Sequence, residues 1–196
     1  MKKRHLLWFV TLLLSLGAVT SCSETENEDI DEYANWQQRN DNYFAALKGK
    51  YSRLKVYYQN PDIEGPSTSY IYYEVLEEGE GTDSPASADT VLLAYRGRLI
   101  PSVSYSQGYE FDRTFTTKDF EWNTAGFVRG TASSFVNGFT TALFHMHPGD
   151  RWRVYIPYAL GYGATAKTGI PAYSTLIFEI AMKDWWNPGE KRPNYY

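Results

Sequence analysis

Cysteine is almost absent from this chain, since Cys22 is the only one among 196 residues. A single cysteine rules out an intramolecular disulfide, so the fold has to be held together by its packing. Charge is also sparse: charged residues make up 21% of the chain, and the formal net charge is −4 at pH 7. This balance, with no basic stripe, argues against a protein that binds nucleic acid.

Several motifs of well-known chemistry are missing as well. The sequence has no P-loop, no glycine-rich dinucleotide fingerprint and no GxSxG elbow, which argues against nucleotide binding and covalent catalysis. His145 and His147 flank Met146, but no cysteine or HExxH-type partner lies near them to complete a metal site. The sequence therefore predicts no metal and no cofactor.

Apolar and aromatic residues are plentiful. Hydrophobic residues make up 43% of the chain and aromatic residues 17%, with 17 tyrosines. A chain of this length can bury one main core. Aromatic side chains favour half-buried sheet surfaces and ring-lined pockets, and strand propensity is the simpler of the two explanations.

The N-terminus has the pattern of an export signal. Lys2, Lys3 and Arg4 precede an apolar run over residues 6–19, which is too short for a stable membrane span. The following Val-Thr-Ser-Cys, ending at Cys22, resembles a bacterial lipobox. Residues 1–21 are thus predicted to be a lipoprotein signal peptide and Cys22 the lipidation site, the alternative being an ordinary signal with an incidental cysteine.

Residues 22–32 are predicted to form a solvated tether, because residues 23–32 contain six acids and no base. A lipid anchor followed by a tether places the domain at the cell envelope. The expected location faces the periplasm or the cell surface, with the outer membrane favoured, and the membrane is contacted only through the lipid.

The remaining chain predicts an α+β domain with an N-terminal helical extension. Aromatic residues spaced three and four apart predict a helix over residues 30–50, within an extension and linker over residues 33–69. Its aromatic face is expected to pack on the main domain, or to pair with another copy. Strands are predicted over residues 70–76, 90–99, 119–123, 152–156 and 174–182, with a short helix within residues 133–146. Many short strands with one central helix indicate an antiparallel sheet, and Gly97 indicates a bulge or a close approach.

Five blocks of sequence carry a family resemblance. They are YRGRL (95–99), EFD (110–112), FVNGFTTALFHMHPGD (135–150), IPYALGYG (156–163) and IPAYSTLIFEI (170–180). In this order and spacing they resemble the FKBP-type peptidyl-prolyl cis-trans isomerases. The resemblance implies a curved antiparallel sheet wrapped around one short helix over residues 70–186, followed by a tail over residues 187–196.

The resemblance also implies an apolar pocket that acts on proline-containing polypeptides without a cofactor. The implied catalytic residues are Tyr95, Phe111, Asp112, Tyr162, Ile170 and Phe178, and the implied substrate-binding residues are Phe120, Phe135, Val136 and Phe139. The hydroxyl of Tyr162 and the main-chain N–H of Ile170 are expected to hold substrate carbonyls, and Asp112 to make a polar contact near the twisted bond.

The chain departs from the family pattern at two pocket positions. Phe139 stands where the family commonly has tryptophan, and no arginine follows Asp112 in the register that would pair with it. The connections over residues 100–110 and 123–134 are also longer than usual. These departures leave two alternatives open: a catalytically weak module that grips extended peptides, and, on composition alone, a glycan-binding surface protein.

Overall fold

The computed structural model of the protein describes residues 31–56 and 70–190. The predicted signal peptide, most of the acidic tether, the predicted loop over residues 60–69 and most of the predicted tail lie outside the described residues. Within them are two α-helices and seven strands: α1 Trp36–Ala45, β1 Ser52–Lys55, β2 Tyr70–Glu77, β3 Thr90–Arg98, β4 Glu110–Arg113, β5 Val128–Thr131, α2 Asn137–Leu143, β6 Arg151–Ile156 and β7 Leu176–Trp186.

The seven strands form one antiparallel sheet in the order β1-β2-β6-β7-β3-β4, and β5 pairs with the first half of β3. The prediction of an antiparallel α+β fold is confirmed. The alternation in β7 directs Leu176, Phe178 and Ile180 into the core, as the sequence predicts.

Helix α2 packs on one face of the sheet. Phe139, Leu143 and Met146 are buried in the same cluster as Ile156 and Ile180. The helix is able to lie this close because its second residue is Gly138: a Cβ there would overlap Cγ2 of Ile156 and would lie 3.1 Å from Cγ2 of Ile71. This close approach fixes the depth at which Phe139, the next residue, enters the core.

Helix α1 packs against the sheet through polar as well as apolar contacts. Asn40 is fully buried, and its Oδ1 accepts a hydrogen bond of 2.7 Å from the main-chain N–H of Thr175. The indole Nε1 of Trp36 donates to Oγ of Ser174 at 2.9 Å. Both partners directly precede β7, so α1 supports the end of the long loop that leads into that strand.

Three expectations for the elements need correction. The predicted helix over residues 30–50 is limited to Trp36–Ala45, and β1, which follows it, pairs with β2 at the edge of the sheet. Segments on both sides of the predicted boundary at residues 60–69 therefore belong to one sheet. Residues 119–123 form bends and turns instead of the predicted strand, and none of the described strands pairs with them. In the segment just before them, Arg96 donates a hydrogen bond to the main-chain O of Thr117. The strand lies further on, at β5.

Candidate active site

A cavity of about 520 Å³ opens where α2, β3, β4 and β7 meet the loop between β6 and β7. Nine of the predicted site residues line it: Tyr95, Phe111, Asp112, Phe135, Val136, Phe139, Tyr162, Ile170 and Phe178. They come from five separate parts of the chain, and the fold brings them together.

Phe139 forms the floor of this cavity. Only 2% of the residue is exposed, and its ring stacks on Phe135 with centroids 4.7 Å apart. Phe178 meets it edge to face at 5.0 Å, and Tyr95 does so at 5.9 Å. Edge-to-face and offset-stacked contacts are the favoured geometries of aromatic pairs, so the floor is held in one position.

Phe111 and Phe178 form adjoining walls, with ring centroids 5.6 Å apart and planes at 85°. Gly97 of β3 makes room for both rings. A Cβ at this position would lie 2.5 Å from Cε2 of Phe111 and 2.8 Å from Cε1 of Phe178. The register also shifts between Gly97 and Arg98, so both effects predicted for this glycine, a bulge and a close approach, are confirmed.

One carboxylate lines the cavity and is held by one phenol. The hydroxyl of Tyr95 donates a hydrogen bond of 2.6 Å to Oδ2 of Asp112. Burial raises the pKa of the Tyr95 hydroxyl, and the hydrogen bond to Asp112 raises it further. The main chain of Tyr95 also bonds Thr114, which fixes the end of β4 beside β3. The phenol thus remains protonated and keeps Asp112 in place.

No arginine neutralises this carboxylate within the described residues. Arg113, the adjacent residue, instead pairs its Nη1 with Oε1 of Glu110 at 3.2 Å. Arg96 and Arg98 are drawn to the same glutamate at 3.2 and 3.6 Å. Among the described residues, the hydroxyl of Tyr95 is the side-chain group that bonds the Asp112 carboxylate.

The loop between β6 and β7 covers one rim of the cavity. Tyr162 is exposed at the rim, whereas Ile170 is buried beneath it. Tyr173 holds the loop in an unusual way: its φ is 61°, and its N–H donates to the carbonyl of Gly163 at 2.9 Å. A bulky residue in this left-handed conformation is strained, so the surrounding contacts must favour it.

The expected role of the Ile170 main chain needs correction. Its N–H donates to the carbonyl of Lys167 at 2.9 Å, while the N–H of Lys167 donates back to Ile170 at 2.8 Å. This local pair uses the donor that was expected to hold a substrate carbonyl. In contrast, the N–H of Val136, another residue of the cavity, has no hydrogen-bond acceptor in the described part of the chain.

Phe120 does not belong to the cavity. Its ring lies 5.3 Å from Phe115 and 4.9 Å from Trp122, with the guanidinium of Arg151 at 5.5 Å. Phe120 and Arg151 line a separate surface depression with Glu77. The placement follows from the irregular path of residues 114–127, where the expected strand does not form.

Three residues of the cavity were not predicted: Ser134, Lys167 and Thr168. Ser134 ends a short 3-10 helix before α2, and Lys167 and Thr168 lie in the loop between β6 and β7. None of the three follows a periodic pattern, so the sequence alone gives no signal for them. The ammonium of Lys167 lies 5.9 Å from the ring of Tyr162, and it places a cation beside Tyr162 at the rim.

The cavity has the chemistry of a binding site for an apolar ring next to a polar group. Ser134 and Thr168 carry hydroxyls, but no histidine lines the cavity to activate them. His147 lies elsewhere, with Nδ1 3.3 Å from Oδ2 of Asp150. Across residues 31–56 and 70–190, no three metal-ligating side chains are grouped to hold an ion.

A second cavity of about 280 Å³ lies on the face of the sheet that carries α1. Its walls include Arg96 and Arg153, which pair with Glu110 and Glu74. Tyr43 and Tyr155 also line it, but the charged groups among its walls make this cavity a poor match for an apolar ring.

Comparison with known proteins gives a consistent result. A family model described as FKBP-type peptidyl-prolyl cis-trans isomerase matches residues 81–183. The FKBP-type peptidyl-prolyl cis-trans isomerase FkpA of Escherichia coli K12 is 32% identical over 142 residues, which cover 70% of this chain and 45% of FkpA. The macrophage infectivity potentiator of Trypanosoma cruzi is 28% identical over 172 residues, covering 87% of this chain and 77% of that protein. The chain thus spans about half the length of the first of these curated relatives.

Solved structures agree. The crystal structure of FkpA from Escherichia coli aligns with a TM-score of 0.56 and 27% identity, over 78% of this chain and 60% of that one. A peptidyl-prolyl cis-trans isomerase from Pseudomonas syringae aligns with a TM-score of 0.55 and 24% identity, over 78% and 95% of the two chains, and shows the shared fold.

Proposed function

This chain belongs to the FKBP-type peptidyl-prolyl cis-trans isomerase family, and from that premise we propose that its aromatic cavity accelerates rotation about X-Pro peptide bonds. The observation that carries the proposal is the convergence of Phe111, Phe139 and Phe178 on one cavity beside the hydrogen-bonded pair of Tyr95 and Asp112.

The reaction requires no nucleophile. Rotation of an amide breaks no bond and is opposed by a resonance barrier of about 18–20 kcal/mol. At the top of this barrier the amide has lost conjugation, and its carbonyl is less polar than in the planar state. An apolar cavity therefore accepts the twisted amide better than the planar one, and this difference lowers the barrier.

The prolyl ring would lie on Phe139, between Phe111 and Phe178. The Tyr162 hydroxyl would donate to one substrate carbonyl. The N–H of Val136, which has no acceptor among the described residues, would donate to another in place of the N–H of Ile170. Asp112, oriented by Tyr95, would make a polar contact beside the rotating bond and would transfer no proton.

A second candidate function is peptide binding without useful catalysis. It is favoured by one observation: Asp112 is held by a phenol and by no arginine of the described chain. A carboxylate with this support is oriented less firmly than one with a bidentate arginine partner.

The cellular setting we propose follows from the N-terminal sequence. A lipidated Cys22 and an acidic tether would hold the domain at the cell envelope, where its clients would be exported proteins in the course of folding. In the described residues, no helix combines the length and the apolar character needed to cross a bilayer.

An isomerisation assay tests the proposal. The chain from residue 23 onward, which retains all described residues, is added to short peptides with different residues before proline. We expect faster cis/trans exchange, and a loss of the acceleration in Asp112→Ala. Tyr162→Phe separates the two candidates, because turnover falls in an enzyme while the affinity of a simple binder changes little. A folded protein without acceleration would exclude the catalytic proposal.

A further inference from the structure

A group of exposed aromatic residues lies next to the cavity and has no part in the function proposed so far. Tyr105 is 41% exposed and Tyr33 is 40% exposed, both large values for aromatic side chains. Val103, on the same connection as Tyr105, is 76% exposed. We call Tyr33, Tyr105 and Tyr109 the tyrosine shelf.

The three tyrosines belong together. The rings of Tyr105 and Tyr109 meet edge to face, with centroids 5.1 Å apart. The carboxylate of Glu32 accepts a hydrogen bond from the main-chain N–H of Ser104 at 3.2 Å, which joins the segment before α1 to the connection between β3 and β4. Burial raises the pKa of Tyr33, and the proximity of Tyr105, Glu32 and Tyr109 adds to the rise.

The shelf is continuous with the wall of the cavity. Tyr109 directly precedes β4 and stands two residues before Phe111, and both side chains pack against the main core cluster. Gly169 lies between two residues that line the cavity, and it approaches both Tyr109 and Phe111. A Cβ at this glycine would lie 3.3 Å from Cε1 of Tyr109 and 3.7 Å from Cβ of Phe111. A polypeptide whose proline occupies the cavity would therefore pass close to the shelf on one side.

We propose that the tyrosine shelf binds an apolar or aromatic side chain of the same extended, unfolded polypeptide whose proline enters the cavity. Because an extended chain rises about 3.3 Å per residue and the shelf adjoins the cavity wall, we expect this side chain within about four residues of the proline. The inference rests on the proposed function and narrows the class of substrates. Short peptides would occupy only the cavity, whereas longer apolar segments would occupy the cavity and the tyrosine shelf.

The chain offers a clean experiment because the shelf residues are on the surface. Binding is measured by fluorescence anisotropy with labelled peptides of about a dozen residues, each containing one central proline. Phenylalanine or glutamine is placed about four residues before or after the proline. The protein is the chain from residue 23 onward, as wild type, as Tyr33→Ser/Tyr105→Ser and as the control Val75→Ser, which removes an apolar side chain of 40% exposure from β2.

We expect one of the phenylalanine peptides to bind the wild type about threefold to tenfold more tightly than its glutamine counterpart. This ratio should fall to about one in the double variant and persist in Val75→Ser. Equal ratios in wild type and double variant overturn the inference. A double variant that changes from dimer to monomer in sedimentation also overturns it, because the shelf would then be an interface between copies.

The same samples separate this inference from the proposed function. If the wild type binds the long peptides in a shelf-dependent way but does not speed cis/trans exchange, the shelf is supported and the isomerase proposal fails. If exchange is accelerated and the phenylalanine ratio is one, the isomerase proposal is supported and the shelf is overturned.

Discussion

At the scale of single residues, the polar side of the cavity depends on the hydrogen bond between Tyr95 and Asp112. A phenol that donates to a carboxylate at 2.6 Å makes a charge-assisted bond, stronger than a neutral one. Replacing Tyr95 with phenylalanine keeps the ring contact with Phe139 and removes only the hydroxyl. We expect kcat/KM for proline peptides to fall about threefold to tenfold, with little change in the urea midpoint. Equal activity in Tyr95→Phe would show that orientation of Asp112 is not needed.

Phe111 and Phe120, one inside the cavity and one outside it, provide a matched pair of variants. Phe111→Leu removes one wall of the cavity and is expected to lower kcat/KM about tenfold, because the prolyl ring loses an aromatic contact. Phe120→Leu makes the same chemical change in a cluster outside the cavity, beside Trp122. The isomerisation assay should show normal activity for this variant. A loss of activity in Phe120→Leu as large as in Phe111→Leu would contradict the assignment.

The sequence was a good guide to residues whose types are set by the motif blocks. Phe111, Phe139 and Phe178 lie where the blocks placed them. Phe120 was misplaced because it was carried over from the family pattern, whereas the irregular path of residues 114–127 places its ring beside Phe115 and Trp122. The sequence does not reveal that the N–H of Ile170 donates to Lys167, because a loop that bonds this N–H locally and a loop that leaves it free can have the same residues.

At the scale of elements, the approach of α2 to the sheet depends on Gly138. Alanine is the better helix former by about 1 kcal/mol, so propensity alone predicts stabilisation. The added methyl group would overlap Ile156, however, and overpacking costs about 1–3 kcal/mol. We expect Gly138→Ala to lower the free energy of unfolding in urea. In a double-mutant cycle with Ile156→Ala, the double variant should lose less than the sum of the single losses; strict additivity would contradict the proposed overlap.

Helix α1 provides a second test at this scale. Asn40→Ala leaves the buried N–H of Thr175 without its acceptor, which costs about 1–3 kcal/mol. Asn42→Ala, an exposed position on the same helix, is the matched control and should change stability by less than about 0.5 kcal/mol. Urea unfolding of both variants gives the comparison. Equal free energies of unfolding for Asn40→Ala and Asn42→Ala would mean that this contact of α1 contributes little to the stability of the fold.

Periodicity predicted most of the elements around the site, including α1, α2, β2, β3, β6 and β7. It did not reveal that β1 joins the sheet, because four residues are too few to show an alternation. Nor did it find β5, which has Arg129 and Gly130 at its centre and owes its conformation to pairing with β3. Short edge strands depend on their neighbours more than on their own sequence.

At the scale of the whole molecule, several tyrosines link stability to alkaline pH. Burial raises the pKa of Tyr95 and Tyr155 above the usual value of 10.0. Above pH 10 the unfolded chain releases these protons while the folded protein retains them, so the free energy of unfolding should decline as the pH rises. Below pH 10 this contribution is fully present. Urea unfolding from neutral pH to about 11 should show a shallower decline for Tyr155→Phe. Identical declines in the variant and the wild type would contradict this account.

The most direct test of the central claim is exchange spectroscopy by NMR on a proline peptide with a small amount of the protein. A catalyst changes the rate and not the equilibrium. We therefore predict faster exchange between the cis and trans signals at unchanged populations, and a smaller acceleration with Phe111→Leu. Peptide signals that shift on binding without faster exchange would contradict the account, and would make this domain a peptide-binding module.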